Sequence, residues 1–89
     1  MKAIDDVLAE RKRQDAKWGV QGHDPETWLA ILGEEFSEAC QAHLADYFTR
    51  NRRTGEKKFG HLRAELVQVA AVAVAFIECL DRNGYGGAA

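Results

Sequence analysis

The stretch that decides the fold is HLRAELVQVAAVAVAFIECL, residues 61–80. Within residues 66–77 the only polar side chain is Gln68, so a helix formed here is apolar around nearly its whole circumference. Such a helix has to be buried on most sides. Glu65 and Glu78 bracket the apolar run, which is too short for a bilayer span of about 20 mostly apolar residues. The stretch therefore predicts the central helix of a soluble helical bundle.

Length and composition bound the architecture. The chain has 89 residues with a single proline, which predicts one all-α domain over residues 1–89. Two flanking helices from so small a chain would cover the central helix poorly, and small domains often supplement a thin core by association. We therefore expect a three-helix protomer that forms an oligomeric helical bundle, a dimer or a tetramer, in which a second copy supplies the missing wall.

Charge and cysteine usage restrict the partners and the compartment. A net charge of −2 gives no general attraction to nucleic acid or to an anionic membrane. Cys40 and Cys79 lie on predicted helices without the spacing of metal ligands, so we expect two buried thiols in a reducing cytoplasm. The charged amino-terminal segment argues against a secretory signal peptide.

Hydrophobic periodicity predicts three helices, over about residues 3–17, 25–48 and 60–83. The second has the clearest start, because Asp24 can cap free backbone N–H groups and Pro25 needs no hydrogen bond at the first helical position. Its apolar stripe recurs every three or four residues and consists of Trp28, Leu32, Phe36, Ala39, His43 and Tyr47. His43 is expected to be a hydrogen-bonded histidine of the core or of an interface.

Four side chains on the second and third helices favour a metal site. Glu35 and Glu38 are three residues apart and hence neighbours on one helix face, and Glu65 and Gln68 stand in the same relation. If the two helices pack antiparallel, the pairs meet, and three carboxylates beside apolar surface then repel one another. A divalent cation with oxygen ligands resolves that conflict, and Mg²⁺, or Mn²⁺ in its place, fits best.

Two other segments are candidates for substrate contacts. The loop WGVQGHD places Trp18, Gln21 and His23 close together, although Trp18 is equally suited to be a hydrophobic plug at the foot of the bundle. The stretch between the second and third helices contains five cations in an otherwise slightly acidic chain, and these are Arg50, Arg52, Arg53, Lys57 and Lys58. It is either a phosphate-binding segment or a solvated turn.

The sequence EEFSEA at residues 34–39, followed by AELVQVAAVAVA at residues 64–75, resembles the paired ExxE and ExxD helices of the MazG-like all-α nucleoside triphosphate pyrophosphohydrolases. The upstream ERKRQDAKWGVQGHD is similar to the leader of small phage and bacterial members of that superfamily. The resemblance implies a helical fold that dimerises or tetramerises through a four-helix core. It also implies magnesium-dependent hydrolysis of a nucleoside triphosphate to the monophosphate and pyrophosphate, which removes unwanted nucleotides from the pool.

The resemblance carries over residue by residue. Glu35, Glu38 and Glu65 match metal ligands of the motif, whereas Gln68 stands where the family pattern has an aspartate. An amide oxygen can coordinate magnesium but brings no charge, so we expect weaker binding of the ion. Glu34 and Glu38 are the candidate catalytic carboxylates, with Glu34 serving as an extra ligand or as the base that takes a proton from the attacking water.

Substrate contacts complete the hypothesis. The base would stack on Trp18 with help from Gln21 or His23. Cations of the basic stretch would stabilise charge on the leaving pyrophosphate, and the candidates are Arg50, Arg53, Lys57 and Lys58. The alternative is a non-catalytic helical oligomer of the same fold that binds nucleotide or a protein partner after losing a ligand at Gln68. The sequence offers no aromatic-lined groove or recognition helix for nucleic acid.

Overall fold

The computed structural model describes residues 1–48 and 59–84, and the side chains of residues 1–44 and 59–84. These residues form three helices, with no strand among them, which are α1 (Lys2–Trp18), α2 (Pro25–Phe48) and α3 (Gly60–Arg82). The all-α class predicted from the sequence is therefore confirmed for the described part of the chain. None of the helices there has the length and apolar character that crossing a bilayer demands.

Local chemistry sets the helix ends. The backbone N–H of Thr27 donates to Asp24 Oδ1 at 2.8 Å, which is the N-cap bond predicted for the residue before Pro25. Gly19 follows α1 with φ at 74°, and Gly84 follows α3 with φ at 76°. Both glycines adopt the left-handed conformation in which a side chain would be strained, and this conformation turns the chain away from the helix axis.

The central helix is α3, because α1 and α2 each pack against it. No Cα of α1 lies within 8 Å of a Cα of α2 among the described residues. The core forms where α2 meets α3, around Trp28, which is 2% exposed and contacts Val72, Ala75 and Cys79. Phe76 stacks on the Trp28 ring with the centroids 5.7 Å apart. Trp28 is thus the anchor that holds α2 against α3.

One prediction about the cysteines is wrong, and the apolar stripe of α2 is only partly buried within the protomer. Phe36 is 59% exposed and His43 is exposed as well, so His43 is not a core residue of the described protomer, and its place at an interface stays a prediction. Counted from Trp28 at 100° per residue, these positions are turned by about 80° and about 60° away from the contact with α3. Cys40 is turned by about 120° and is exposed, so only Cys79 is a buried thiol.

Large apolar side chains remain exposed along one face of the α2 and α3 pair. They are Leu29, Phe36 and Leu44 on α2, and Leu66 and Ile77 on α3. The two sets are rotated by roughly 80° to 160° from the contact residues Trp28 and Val72, in the same sense. Since α2 and α3 run antiparallel, equal rotations place both sets on the same side of the pair. The central helix is therefore covered by α2 and α1 but left bare on a third side.

Candidate metal centre

Three carboxylates converge where α2 and α3 pack together. Glu35 and Glu38 come from one face of α2, and Glu65 comes from the facing side of α3. One oxygen from each lies within 4.8 Å of the others. Trp28, near the start of α2, packs against Val72 and Phe76 in the second half of α3. Because the two helices run antiparallel, this pairing brings position 65 opposite positions 35 and 38. The structure thus assembles three of the residues that the sequence singles out.

Among the three carboxylates, Glu35 is the one whose ionised form is disfavoured by both burial and neighbouring charges. Its Oε2 atom is buried and accepts no hydrogen bond from any described residue. Burial raises the pKa of this carboxyl, and the neighbouring charges, led by Glu38 and then Glu65, raise it further. Glu65 is half-buried and Glu38 is exposed, so the cluster is enclosed on the Glu35 side and open to solvent on the Glu38 side.

These donors fit a hard divalent cation. In octahedral magnesium coordination with bonds of about 2.1 Å, neighbouring ligand oxygens lie about 3 Å apart and opposite ones about 4.2 Å apart. The separations in the cluster, up to 4.8 Å, are within a side-chain adjustment of those values. A cation would also satisfy the buried Oε2 of Glu35 and remove the mutual repulsion that raises the pKa of its carboxyl. Three protein carboxylates leave positions for water and substrate.

The other two residues of the predicted metal and catalytic set occupy different places. Gln68 lies on α3 three residues after Glu65 and lines the same cleft as Glu35. Glu34 is exposed and does not belong to the cluster of close oxygens, but its charge contributes to the raised pKa of the Glu35 carboxyl. Gln68 is thus on the enclosed side of the cluster, and Glu34 is at its outer rim.

The cleft beside Glu35 has a volume of about 200 Å³ and lies between the end of α1 and the α2 and α3 pair. Trp18 and Gln21 line it, together with the apolar wall of Trp28 and Val72. Trp18 is 53% exposed and has the Lys17 ammonium 4.7 Å from its ring centroid, so it is not a buried plug. His23 packs edge-on against Trp28, with ring centroids 4.9 Å apart, and is not part of the cleft wall.

Sequence reasoning missed Gln14, which is 8% exposed and lines the cleft from α1. Its amide nitrogen donates to Glu10 Oε2 at 3.4 Å, and its amide oxygen accepts from Arg11 at 3.3 Å. The available signal was compositional, since Gln14 is the only uncharged polar side chain between Glu10 and Lys17. A neutral amide in a run of charges marks the position that turns toward the protein interior.

The predicted phosphate contacts Arg50, Arg53, Lys57 and Lys58 lie outside the described residues. Of the described cations near the centre, Arg13 pairs with Glu10 on α1, and Arg63 pairs with Asp6 at 2.7 Å. Arg11 is bound to Glu78 at 2.8 Å and to Asp15 at 3.1 Å. The pairs of Arg63 with Asp6 and of Arg11 with Glu78 fasten α1 to α3, and so they position Gln14 and Trp18 at the cleft.

Comparison with known protein families, with curated proteins and with solved structures finds no match to this chain. The interpretation of the centre therefore depends on its own geometry and chemistry. That geometry offers oxygen donors for one hard cation, a partly enclosed cleft with aromatic and amide walls on one side, and access to solvent on the other.

Proposed function

We propose that the protein is a magnesium-dependent nucleoside triphosphate pyrophosphohydrolase, which converts an NTP or dNTP to the monophosphate and pyrophosphate. The observation that carries this proposal is the convergence of Glu35, Glu38 and Glu65 around a buried carboxylate oxygen that has no partner. The resemblance of residues 34–39 and 64–75 to the MazG-like helix pair supports the same reaction. A role in removing unwanted nucleotides from the pool follows from that reaction.

The residues divide the chemistry among them. Glu35, Glu38 and Glu65 would hold Mg²⁺, or Mn²⁺, with Gln68 as a neutral fourth donor. The bound ion would neutralise phosphate oxygens and lower the pKa of water. Glu34, at the solvent rim, accepts the proton of the water that attacks a phosphorus of the triphosphate. The bond from that phosphorus to the leaving phosphate oxygen breaks as the new bond forms.

The cleft beside Glu35 suits the nucleobase. Trp18 offers exposed aromatic surface, with Trp28 at the back of the cleft, and Gln14 and Gln21 offer amide donors and acceptors for the edge of a heterocycle. A volume of about 200 Å³ is below the roughly 300 to 1,000 Å³ of pockets that enclose a whole drug-sized ligand, so it accommodates one ring system. His23 does not reach this wall and is therefore omitted from the base contacts.

The protein acts as a dimer or tetramer in this proposal. The bare face of α2 and α3 presents five large apolar side chains in one strip, and a contiguous apolar surface of this kind marks an association site. A second copy is the natural occupant, because α3 is apolar on the bare side as well as on the covered ones. Cys40 and Cys79 are unpaired, which suits a reducing cytoplasm.

A second candidate function is a non-catalytic helical oligomer that binds nucleotide or a protein partner. Gln68 favours it, since an amide at this position removes one negative charge from the ligand set and weakens the hold on the cation. The two candidates share the fold, the cleft and the oligomer, and they differ only in turnover.

The deciding experiment incubates the protein with Mg²⁺ and a panel of ordinary and modified nucleoside triphosphates and measures pyrophosphate release. We expect turnover of at least one substrate, and loss of that turnover in Glu38→Gln. Glu26→Gln is the matched control, because Glu26 is an exposed carboxylate of the same helix about 18 Å along its axis from Glu38. No release with any substrate, together with no thermal shift on adding Mg²⁺, would exclude the enzyme.

A further inference from the structure

A second cavity borders the same carboxylates. This groove has a volume of about 530 Å³, and its walls are Glu38, Gln41, Ala42, His61 and Glu65. It shares no wall residue with the cleft that contains Glu35. The three carboxylates therefore form the boundary between two cavities, with Glu35 facing one and the other two facing the second.

The two cavities differ in chemical character. The cleft has aromatic and aliphatic side chains in its wall, including Trp18, Trp28 and Val72, whereas four of the five residues around the open groove carry polar or charged groups. A nucleoside triphosphate has the same asymmetry, with a planar base at one end and charged phosphates at the other. A cation at the boundary would bind phosphate oxygens between those ends, which would place the base in the cleft and the distal phosphates in the groove.

We propose that His61 binds the distal phosphates, which become the pyrophosphate leaving group, and so sets the direction in which the triphosphate lies across the centre. His61 precedes Glu65 by four residues on α3, which places both side chains on one helix face. It is exposed and lines the groove with Glu38 and Glu65. An imidazole N–H donates to a phosphate oxygen in either protonation state of the ring.

This inference rests on the proposed function, because Glu38 and Glu65 alone would repel a phosphate chain from the groove. With the cation bound, their charge is compensated, and a donor on the groove wall adds to the attraction. Gln41, one turn after Glu38 on α2, offers a second and neutral donor on the opposite wall. His61 is a binding residue in this account and needs no role in proton transfer.

The test measures binding of inorganic pyrophosphate in the presence of Mg²⁺ by calorimetry, alongside binding of a nucleoside monophosphate. We expect His61→Ala to weaken pyrophosphate binding by about tenfold, the range for a hydrogen bond to a charged group, and to leave monophosphate binding within about twofold. His61→Gln keeps a donor and should retain most of the pyrophosphate affinity. Lys12→Ala is the control, since it removes a charge from an exposed residue of α1 that lines neither the cleft nor the groove.

The outcomes separate this inference from the proposed function. Triphosphate hydrolysis by the wild-type protein, with equal pyrophosphate affinity in His61→Ala, would overturn the inference and leave the function standing. An equal loss of pyrophosphate and monophosphate binding in His61→Ala would also overturn it, because the residue would then act on the whole site. A third outcome is magnesium-dependent pyrophosphate binding that depends on His61, without hydrolysis of any triphosphate. It would support the binding role of His61 and exclude the proposed hydrolase activity.

Discussion

At the scale of the single residue, Glu35 is where burial and repulsion act together. Burial raises the pKa of its carboxyl above the ordinary 4.5, and the charges of Glu38 and Glu65 raise it further. The folded protein therefore holds a proton on Glu35 more tightly than the unfolded chain does. Stability from this residue is present below the ordinary pKa and is lost as the pH rises through the raised one.

Replacing Glu35 by Gln should remove that loss. We expect Glu35→Gln to stabilise the metal-free protein at neutral pH by about 1 kcal/mol, the repulsion between two unit charges about 4 Å apart in water. The gain in melting temperature over the wild type should grow as the pH rises from 4.5, the ordinary pKa of a glutamate. Thermal unfolding at several pH values measures it, with Glu26→Gln as the control. A gain that does not change with pH would contradict the electrostatic explanation.

In the proposed metal centre, Gln68 would affect how tightly the ion is held. In Gln68→Asp, a charged oxygen replaces the amide on the cleft side of Glu35, and we expect the affinity for Mg²⁺ to rise about tenfold, or about 1.4 kcal/mol. The metal-free protein should lose stability at the same time, since a fourth carboxylate adds to the repulsion. Magnesium titration followed by calorimetry measures the first effect and thermal unfolding the second.

The control for this substitution is Gln41→Asp. Gln41 lines the outer groove beside Glu38 and Glu65, so an aspartate there adds the same charge near the centre without matching the position of the motif aspartate. A tenfold gain that appears equally in both variants would show that net charge, and not coordination by residue 68, sets the affinity.

At the scale of the element, the start of α2 positions the site. The N-cap bond at Asp24 and the proline at the first helical position define where the helix begins, and Trp28 in the next turn fixes its rotation against α3. Glu35 and Glu38 lie two and three turns further along the same helix. The rotation that Trp28 fixes therefore also sets the direction in which their side chains leave the helix. α1 is held differently, by the Arg11 to Glu78 and Asp6 to Arg63 ion pairs.

We expect Asp24→Ala to destabilise the protein by about 1 kcal/mol, because the N–H of Thr27 then loses its acceptor. Urea unfolding followed by circular dichroism measures the change. Asp24→Asn keeps an acceptor oxygen in place and should cost only a few tenths of that, or about 0.3 kcal/mol. Equal costs in the two variants would mean that the charge of Asp24, and not its hydrogen bond, stabilises the helix start.

At the scale of the whole molecule, the bare face of α2 and α3 is the apolar surface that the described protomer leaves exposed to solvent. Leu66 and Ile77 are each about half exposed on the most apolar helix of the chain, and no segment of the described protomer covers them. Exposing such a strip to water is unfavourable by roughly 25 cal/mol for each Å² of apolar area. Association of two copies through this face would remove that cost and complete the four-helix core of the proposal.

A charge on that face should break the association. We expect Ile77→Glu to be monomeric at micromolar concentration where the wild type forms the proposed oligomer, because pairing would bury an unpaired carboxylate. Sedimentation velocity measures the mass. Ile4→Glu is the control, since Ile4 is equally exposed but lies on α1, away from the bare face. A wild-type mass equal to one chain at micromolar concentration would contradict association of two copies through this face.

How much of this follows from the sequence varies with the range of the interaction. The start of α2 at Pro25 follows from chemical signals within four residues, and the pairing of Glu35 with Glu38 follows from helix geometry alone. The orientations of Phe36, His43 and Cys40 did not follow, because positions 60° to 120° from the core centre are buried or exposed according to the helix that packs beside them.

The sequence by itself determined the helical class and placed the carboxylates on neighbouring helices, because hydrophobic periodicity and helix caps act locally. The tertiary structure alone decided that Glu35 has a buried oxygen without a partner among the described residues, that Gln14 turns inward, and that the centre separates a partly enclosed cleft from the open groove of His61. Each of these features depends on how α1 and α2 lie against α3. Crossing geometry of that kind arises from side chains distant in the chain, and no local pattern encodes it.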